Sequence, residues 1–302
     1  MTKKILLTGA NGLLGQKLVH LIGGNSGYQL IGTGKGENRL SAQYSNYQYD
    51  TMDITNGEEV LEVFAKHKPD FVIHAAAQTN VDHCEINKIE CWSSNVLATQ
   101  NIVNACLAQK SFLLHISTDF IFDGTAGPYK EDAVPYPLSF YGYSKLVAEE
   151  IVQKAENLTW AIARTVLVYG IAEDMSRSNI ILWVKKSLED GKRINVVDDQ
   201  FRTPTLAEDL AKGCFLIVDQ KATGIFNISG SDFLTPLEMA YKTADYFKLD
   251  KNLITKADST TFVQPAKRPP RTGFDITKAK NILGYQPVTF DEGIAFLAKQ
   301  LK

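Results

Sequence analysis

Two short segments of the chain carry side chains that could place a proton on a carbonyl oxygen. Tyr141 and Lys145 lie four residues apart, on one face of a predicted helix that begins near Ser139. One loop earlier, Thr118 and Asp119 end a predicted apolar strand. A tyrosine hydroxyl can protonate the alkoxide that forms when a hydride reduces a ketone. The ordinary pKa of tyrosine is about 10, and a lysine ammonium one turn away is expected to lower it.

A glycine-rich turn near the N-terminus would supply the other half of such a reaction. Residues 5–7 form an apolar run that leads into Gly9, Gly12 and Gly15, and apolar residues then recur at helical intervals to Ile22. The pattern predicts a strand, a tight turn and a helix. Glycine accepts backbone angles that a Cβ forbids and lets a phosphate approach the amides at a helix start. In this context the spacing of the three glycines favours a dinucleotide pyrophosphate site.

The second predicted strand, residues 28–36, ends without the acid that NAD-specific sites place against the ribose. Lys35 and Arg39 stand there instead and would suit a 2′-phosphate, although basic residues in a loop are ordinarily solvated surface. This favours NADP, with NAD as the alternative. Asp53, after the third predicted strand, would lie beside the adenine, and its spacing fits helix capping equally well. His74, in a predicted buried strand, is expected to be a hydrogen-bonded core histidine.

Predicted strands and helices alternate along the first 170 residues, as they do in doubly wound α/β proteins. The further strands are at residues 47–55, 69–77, 111–119, 159–163 and 166–169. The further helices are at residues 56–67, 87–109 and from residue 139 onwards. Ligands bind at the carboxyl ends of the strands in such sheets, which is where Thr118 and Asp119 fall.

The second half of the chain predicts more helices and one strand that returns to the sheet. Capping boxes begin at Thr205 and Thr235, and helices are also expected at residues 179–190, 277–283 and 290–301. The returning strand is expected at residues 224–229. We therefore expect an α/β protein with a Rossmann-like doubly wound parallel sheet and a smaller mixed α/β C-terminal substrate domain. The NAD(P)-binding domain would span residues 1–170, joined by 205–230, and the substrate domain residues 171–204 and 231–302.

Composition narrows the class of protein. The 302 residues are 44% apolar and carry a net charge of −2, so no overall positive field would draw the chain to nucleic acid or to an anionic membrane. The four cysteines form no C-x-x-C pair, no ligand cluster suggests a metal, and no apolar run reaches the roughly 20 residues of a membrane helix. The first strand begins within a few residues, which leaves no room for a signal peptide. A reduced, cytoplasmic protein is expected.

Four segments together resemble the extended short-chain dehydrogenases/reductases, and within them the dTDP-4-dehydrorhamnose reductases. The segments are residues 8–15, 75–82, 117–124 and 141–145, and residues 164–170, 199–205 and 267–269 match as well. The resemblance implies an NADPH-dependent reduction of a nucleotide-linked 4-keto-6-deoxy sugar, with Thr118, Tyr141 and Lys145 as catalytic residues. Thr118 would hold the carbonyl oxygen by a hydrogen bond that strengthens as charge develops on it.

The resemblance also implies the residues around each ligand. Those expected at the cofactor are Gly9, Asn11, Gly12, Leu13, Leu14, Gly15, Lys35, Asp53, Ile54, Ala77, Gln78, Thr79, Tyr141 and Lys145. Those expected at the substrate are Val81, Thr118, Asp119, Leu167 and Arg268. Two residues depart from the family pattern: Leu167 replaces a tryptophan that could stack on a sugar ring, and Arg271 adds a charge.

Alternatives remain open on the same fold. A nucleotide-sugar 4-epimerase would use the same threonine, tyrosine and lysine and keep NAD tightly bound. A 4,6-dehydratase is disfavoured because Phe120 stands where those enzymes place an acid. The resemblance extends further to the regulatory beta subunit of methionine adenosyltransferase, which would make the chain a binding module. Related reductases include homodimers bridged by a divalent ion, so a homodimer is compatible with the sequence.

Overall fold

A parallel sheet of seven strands forms the centre of the computed structural model, which describes residues 2–25, 27–41, 44–174 and 178–301. The strand order is β10-β6-β5-β4-β1-β2-β3, and every neighbouring pair is parallel. The strands of this sheet are β1 (Lys3–Thr8), β2 (Tyr28–Gly34), β3 (Tyr47–Thr51), β4 (Phe71–His74), β5 (Phe112–Thr118), β6 (Trp160–Thr165) and β10 (Gly224–Asn227). The strand order reverses between β1 and β4, so the carboxyl ends of these two strands form the switch point.

Helices cover both faces of the sheet because alternate strand residues point to opposite sides. Ile5 and Leu7 of β1 pack in one apolar cluster, and Leu6 packs in the other. The first cluster is covered by α1 (Leu13–Gly23), α8 (Ala207–Gln220) and α10 (Thr277–Leu283). The second is covered by α2 (Gly57–His67), α5 (Ala98–Gln109) and α6 (Phe140–Lys154). The predicted doubly wound α/β fold is confirmed, as is the return of the strand near residue 224 to the sheet.

A smaller region beside the sheet is built mainly from the second half of the chain. A parallel pair, β8 (Ile194–Val197) and β11 (Ile254–Ala257), packs with α7 (Ile180–Glu189) and α9 (Pro236–Phe247). The remaining elements are β7 (Val168–Tyr169), β9 (Thr205–Leu206) and α11 (Phe290–Gln300). The sequence pattern predicted neither β8 nor β11. The boundaries of the two domains stay a prediction.

One local prediction is refined by the structure and another was wrong. The helix predicted at residues 87–109 is present as a continuous helical run, in which α4 (Lys88–Trp92) passes through a π-helical turn at Ser93–Leu97 into α5; a short helix, α3 (Val81–Ile86), precedes it. Thr205 caps no helix, because its hydroxyl donates to the Val166 carbonyl oxygen at 2.7 Å. The capping box at Thr235 is confirmed.

Candidate active site

The glycine turn leads from β1 into α1 at the switch point of the sheet. Gly9 has a φ of +75°, and a Cβ on it would lie 2.9 Å from the amide nitrogen of Ala76. A Cβ on Gly15 would lie 2.1 Å from the Gly9 carbonyl oxygen. Both glycines are therefore required by close packing within the protein.

Gly12 has a different neighbourhood. It is the N-cap residue of α1, and a Cβ there would meet the Gly9 carbonyl oxygen at 3.3 Å. The first turn of α1 carries no acidic residue and no side chain caps it. The amides of Leu13, Leu14 and Gly15 accordingly keep the positive potential that helix N-termini offer to phosphate. Gly12 leaves room at those amides for a pyrophosphate.

Asn11 fixes the loop that follows β2. Its side-chain amide donates to the Glu37 carbonyl oxygen at 2.9 Å and to the Tyr49 hydroxyl at 3.0 Å. Its Oδ1 accepts the Arg39 amide at 2.9 Å. Asn11 thus joins the glycine turn to the segment expected to meet the adenosine ribose.

Lys35 and Asp53 meet at the carboxyl ends of β2 and β3. The Lys35 ammonium lies 3.0 Å from one Asp53 carboxylate oxygen, and both side chains are partly exposed. The other Asp53 oxygen accepts the amide and the hydroxyl of Thr55 at 2.9 and 2.7 Å, while Ile54 between them is buried. Asp53 therefore organises a turn and also neutralises part of the Lys35 charge.

The segment after β4 is held by an asparagine in the π-helical turn. The Gln78 amide donates to Asn95 Oδ1 at 2.8 Å, and Asn95 Nδ2 donates to the Gln78 carbonyl oxygen at 3.1 Å. The same Nδ2 donates to the Ser144 hydroxyl of α6 at 3.0 Å. Ala77 is half-buried and Thr79 is exposed along this segment. Asn95 thus couples the cofactor edge of β4 to the helix that carries the predicted catalytic pair.

Thr118 ends β5 at the same edge of the sheet, with a buried carboxylate beside it. Its hydroxyl donates to Asp119 Oδ1 at 3.2 Å, and Asp119 Oδ2 accepts the Thr272 hydroxyl. Arg202 Nε lies 3.8 Å from the same oxygen. Burial raises the pKa of the Asp119 carboxyl, and the Arg202 guanidinium opposes that rise. Both Asp119 oxygens contact protein groups, so its expected contact with a substrate stays a prediction.

Tyr141 lies in the first turn of α6 and is 7% exposed. It packs in an apolar cluster with Val81 and two cysteines, with its ring centroid 5.8 Å from that of Phe120. A Cβ on Gly142 would lie 2.1 Å from the Phe120 carbonyl oxygen. Glycine at position 142 therefore lets α6 approach the end of β5, which brings Tyr141 to Thr118.

The protonation state of Tyr141 differs from the sequence-based expectation. Burial raises the pKa of the Tyr141 phenol well above its usual value, and hydrogen bonding with the Thr118 side chain opposes the rise. The expected lowering by Lys145 was wrong for this structure, because the Lys145 ammonium binds the Ile116 carbonyl oxygen at 2.8 Å and His115 Nε2 at 3.1 Å. Tyr141 thus keeps its proton at neutral pH, as a proton donor must.

Leu167 stands at the same sheet edge as Thr118. β6 ends at Thr165, which is the register partner of Thr118 on β5, and Leu167 follows two residues later. Its side chain is 43% exposed and its φ is +36°. A positive φ is uncommon for leucine, and such outliers cluster at functional sites.

Arg268 reaches across from the C-terminal region to α3. Its guanidinium donates to both carboxylate oxygens of Asp82, at 3.0 and 2.6 Å, and the Ala266 amide donates to Asp82 as well. Hydrogen bonding from Arg268 lowers the pKa of the Asp82 carboxyl. Arg271 is instead packed on aromatic rings, with its guanidinium carbon 4.5 Å from the Phe201 centroid. The charge that Arg271 adds is therefore used in cation–π contacts within the protein.

Arg268 also lines a cavity of about 470 Å³ in the smaller region. Two partly exposed aromatic residues, Trp183 and Phe262, lie in its wall. Four residues with side-chain amides also line it, which adds hydrogen-bonding groups: Asn179, Asn195, Gln200 and Gln264. The size and the mixed lining are those of a small-molecule site.

Several site residues were not found from sequence. The partners Asp82, Arg202, Thr272 and His115 lie far along the chain from the residues they contact, and no local pattern marks those pairings. His74 is confirmed as a core histidine: it is 2% exposed, and its Nδ1 lies 2.8 Å from the Thr8 hydroxyl.

No group of three or more His, Cys, Asp or Glu side chains among the described residues could hold a metal ion. None of the helices in that part of the chain is long and apolar enough to cross a membrane.

The fold and the site together define a nucleotide-binding protein of the extended short-chain dehydrogenase/reductase type. The chain belongs to the RmlD substrate binding domain family, whose model matches residues 3–302. A probable low-salt glycan biosynthesis reductase from Haloferax volcanii is 31% identical over 293 residues, covering 96% of each protein. Methionine adenosyltransferase 2 subunit beta from Xenopus tropicalis is also 31% identical, over 97% of this chain and 86% of its own length. The crystal structure of a dTDP-4-dehydrorhamnose reductase from Bacillus anthracis in complex with NADP is 25% identical, with a TM-score of 0.84 over 99% of this chain and 100% of that one.

Proposed function

We propose that this protein is an NADPH-dependent reductase of a nucleotide-linked 4-keto-6-deoxy sugar. The observation that carries the proposal is the grouping of Thr118, protonated Tyr141 and Lys145 at the carboxyl edge of the sheet. The glycine turn lies at the same edge, so a dinucleotide bound there would place its reactive end toward these groups.

The residues at the switch point fit a dinucleotide. The amides of Leu13 and Leu14 at the start of α1 would hold the pyrophosphate, and Gly12 leaves it room. Lys35 would contact a 2′-phosphate, although Asp53 competes for its charge. When bound, NADPH would supply a hydride to the substrate carbonyl carbon.

The chain's own residues would complete the reduction by handling the oxygen. The Thr118 hydroxyl would turn from Asp119 Oδ1 and donate its hydrogen bond to the carbonyl oxygen, stabilising the negative charge that develops there. Tyr141 Oη would then transfer its proton to that oxygen, so that a ketone, a hydride and a proton give an alcohol. The Lys145 ammonium would stabilise the phenolate left behind and hold the cofactor ribose.

The substrate's nucleoside would occupy the cavity beside Arg268. Trp183 and Phe262 offer flat faces for a base, and the nearby amides offer donors and acceptors. The Arg268 guanidinium would contact the diphosphate while Asp82 holds it in place. Leu167 would offer the sugar an aliphatic surface, since leucine has no flat stacking face.

The test is NADPH oxidation by the purified protein across a panel of nucleoside-diphospho-4-keto-6-deoxy sugars. We expect turnover with the dTDP-linked sugar. No turnover with that sugar would reject the proposed substrate. Release of tightly bound NAD on denaturation would favour an epimerase instead.

A non-catalytic role is the second candidate, because a relative of 31% identity is named methionine adenosyltransferase 2 subunit beta. The intact Thr118, Tyr141 and Lys145 favour chemistry. Co-purification with a synthetase, together with no NADPH oxidation on any 4-keto sugar, would reverse that preference. We infer a reducing, cytoplasmic location from Cys91, Cys106 and Cys214, which are buried and form no disulfide in the described part of the chain. A homodimer stays a prediction.

A further inference from the structure

The Lys145 ammonium is held by two groups of one strand. Lys145 is 3% exposed, and its Nζ donates to the Ile116 carbonyl oxygen at 2.8 Å. The second contact is His115 Nε2, at 3.1 Å. An ammonium has three N–H donors. These two acceptors are the ones within hydrogen-bond distance among the described residues, so one donor remains for a ligand or for Tyr141.

The contact with Lys145 determines which nitrogen of His115 carries its proton. His115 is 1% exposed, and burial together with the charge of Lys145 holds the pKa of its imidazole well below the usual value. The ring is therefore neutral and has one N–H. Because Nε2 faces a cation that can only donate, the proton must lie on Nδ1. In the part of the chain that is described, that buried Nδ1 has no hydrogen-bond partner.

A buried donor without a hydrogen-bond partner is costly and requires an explanation. The neighbouring His74 helps to explain how the ring is kept in place. The two rings pack with centroids 5.4 Å apart at 42°, and His74 is itself held by the hydroxyl of Thr8 at 2.8 Å. His115 and His74 are register partners on β5 and β4. The fold thus keeps the His115 ring against Lys145 even though its Nδ1 makes no hydrogen bond within the described residues.

We propose that His115 is a positioning residue for Lys145, accepting one N–H of its ammonium at Nε2 while Ile116 accepts another. Because two N–H groups of the ammonium are bound in this way, the third is left for the cofactor ribose or the Tyr141 oxygen. This role rests on the proposed function, in which the remaining N–H binds the ribose and the charge of the ammonium stabilises the Tyr141 phenolate. This role explains why the buried Nδ1–H has no partner among the described residues: the ring carries its proton there so that Nε2 can accept from the cation.

The groups around Lys145 determine whether removal of His115 raises or lowers the pKa of the lysine. Burial lowers the pKa of Lys145 to about 8, while Glu149 on α6 and Cys91 on α4 raise it. His74 on β4 and His115 on β5 are neutral at this pH, since both imidazole pKa values lie well below the usual value. An acceptor at His115 favours the charged amine. Removing it should lower the Lys145 pKa further, so that the ammonium is lost at a lower pH.

The experiment compares His115→Phe, which keeps a ring without an acceptor, with His115→Gln, whose amide oxygen can accept. His67→Phe is the matched control, because His67 is also buried but bonds Asp50. The lysine Cε resonances of ¹³C-labelled protein are followed against pH, and Lys145 is assigned by the signal lost in Lys145→Met. We expect the Lys145 midpoint near pH 8 to fall by about one unit, a tenfold change in proton affinity, in His115→Phe. His115→Gln and His67→Phe should titrate as the wild type does.

A folded His115→Phe protein with an unchanged Lys145 midpoint would overturn the proposal. If that variant does not fold, the wild-type protein decides: ¹⁵N shifts at pH 7 should show Nδ1 protonated and Nε2 unprotonated, and the opposite tautomer would overturn the proposal. Neither readout needs turnover. An expected midpoint shift in a protein that reduces no keto sugar would therefore reject the proposed function and leave the role of His115 standing. With turnover, the alkaline limb of kcat should move with the midpoint.

Discussion

The cofactor edge and the substrate side of the cleft are built in different ways. At the cofactor edge, Gly12 and Gly15 approach the Gly9 carbonyl oxygen within one turn of chain, while Gly9 itself packs on Ala76 after β4. On the substrate side, Arg268 binds Asp82 across 186 residues and Thr272 binds Asp119 across 153. Local sequence therefore specifies most of the glycine turn, whereas the proposed substrate side depends on contacts between distant parts of the chain. A site made by a local motif is suited to a cofactor that many proteins share, and a site made by distant contacts is suited to a substrate that differs between them.

Substitution of Tyr141 should have the largest effect, because it should reduce turnover without changing cofactor binding. Tyr141→Phe removes the proton donor, so kcat should fall about 10³-fold while NADPH affinity stays unchanged. Steady-state kinetics and NADPH fluorescence titration measure the two effects. Tyr143→Phe is the control, because Tyr143 is 47% exposed and packs on Trp92 rather than on the site. Wild-type turnover in Tyr141→Phe would remove Tyr141 from the mechanism.

The glycine turn offers a comparison within the cofactor edge. Gly15→Ala would force a Cβ against the Gly9 carbonyl oxygen, so it should destabilise the fold by about 1–3 kcal/mol or more. Gly12→Ala places its Cβ at 3.3 Å from the same oxygen, so it should lower Tm less than Gly15→Ala does but bind NADPH about 30-fold more weakly, or ~2 kcal/mol. Thermal denaturation and NADPH titration distinguish them. Equal losses of Tm in both variants would show that Gly12 serves packing rather than phosphate.

Arg268 should affect the substrate alone. Arg268→Ala leaves Asp82 unpaired and removes a cation from the cavity, so KM for the nucleotide sugar should rise about tenfold, or ~1.4 kcal/mol. The Kd for NADPH should not change. Lys267→Ala is the matched control, since Lys267 is the exposed neighbour of Arg268. A changed NADPH affinity in Arg268→Ala would contradict the separation of the two sides.

Lys35 should give the smallest effect. Its ammonium is exposed and shared with Asp53, so a 2′-phosphate contact is worth about 1 kcal/mol or less. Lys35→Ala should therefore weaken NADPH about fivefold and leave NADH affinity unchanged. Isothermal titration with both nucleotides measures the ratio. Equal weakening of NADPH and NADH would mean that Lys35 does not recognise the 2′-phosphate.

The same contrast explains what could be predicted from sequence. The strand-turn-helix at Gly9 and the alternating elements follow from local patterns, and the structure confirms them. The capping box at Thr205 was wrong because a distant carbonyl, that of Val166, binds the hydroxyl. The pKa of Tyr141 was expected to fall because sequence shows a lysine one turn away but not its burial or its partners His115 and Ile116. The pairing of Arg268 with Asp82 had no local signal.

The most direct test of the proposed reduction is transfer of deuterium to the dTDP-4-keto-6-deoxy sugar from NADPH that carries deuterium at the transferred hydride. A reductase using Thr118, Tyr141 and Lys145 as we propose should yield a sugar alcohol with one deuterium at C4, matched by one NADP formed. A binding module would form no labelled product. An epimerase would return sugar without net cofactor oxidation, and either result would contradict the reductase.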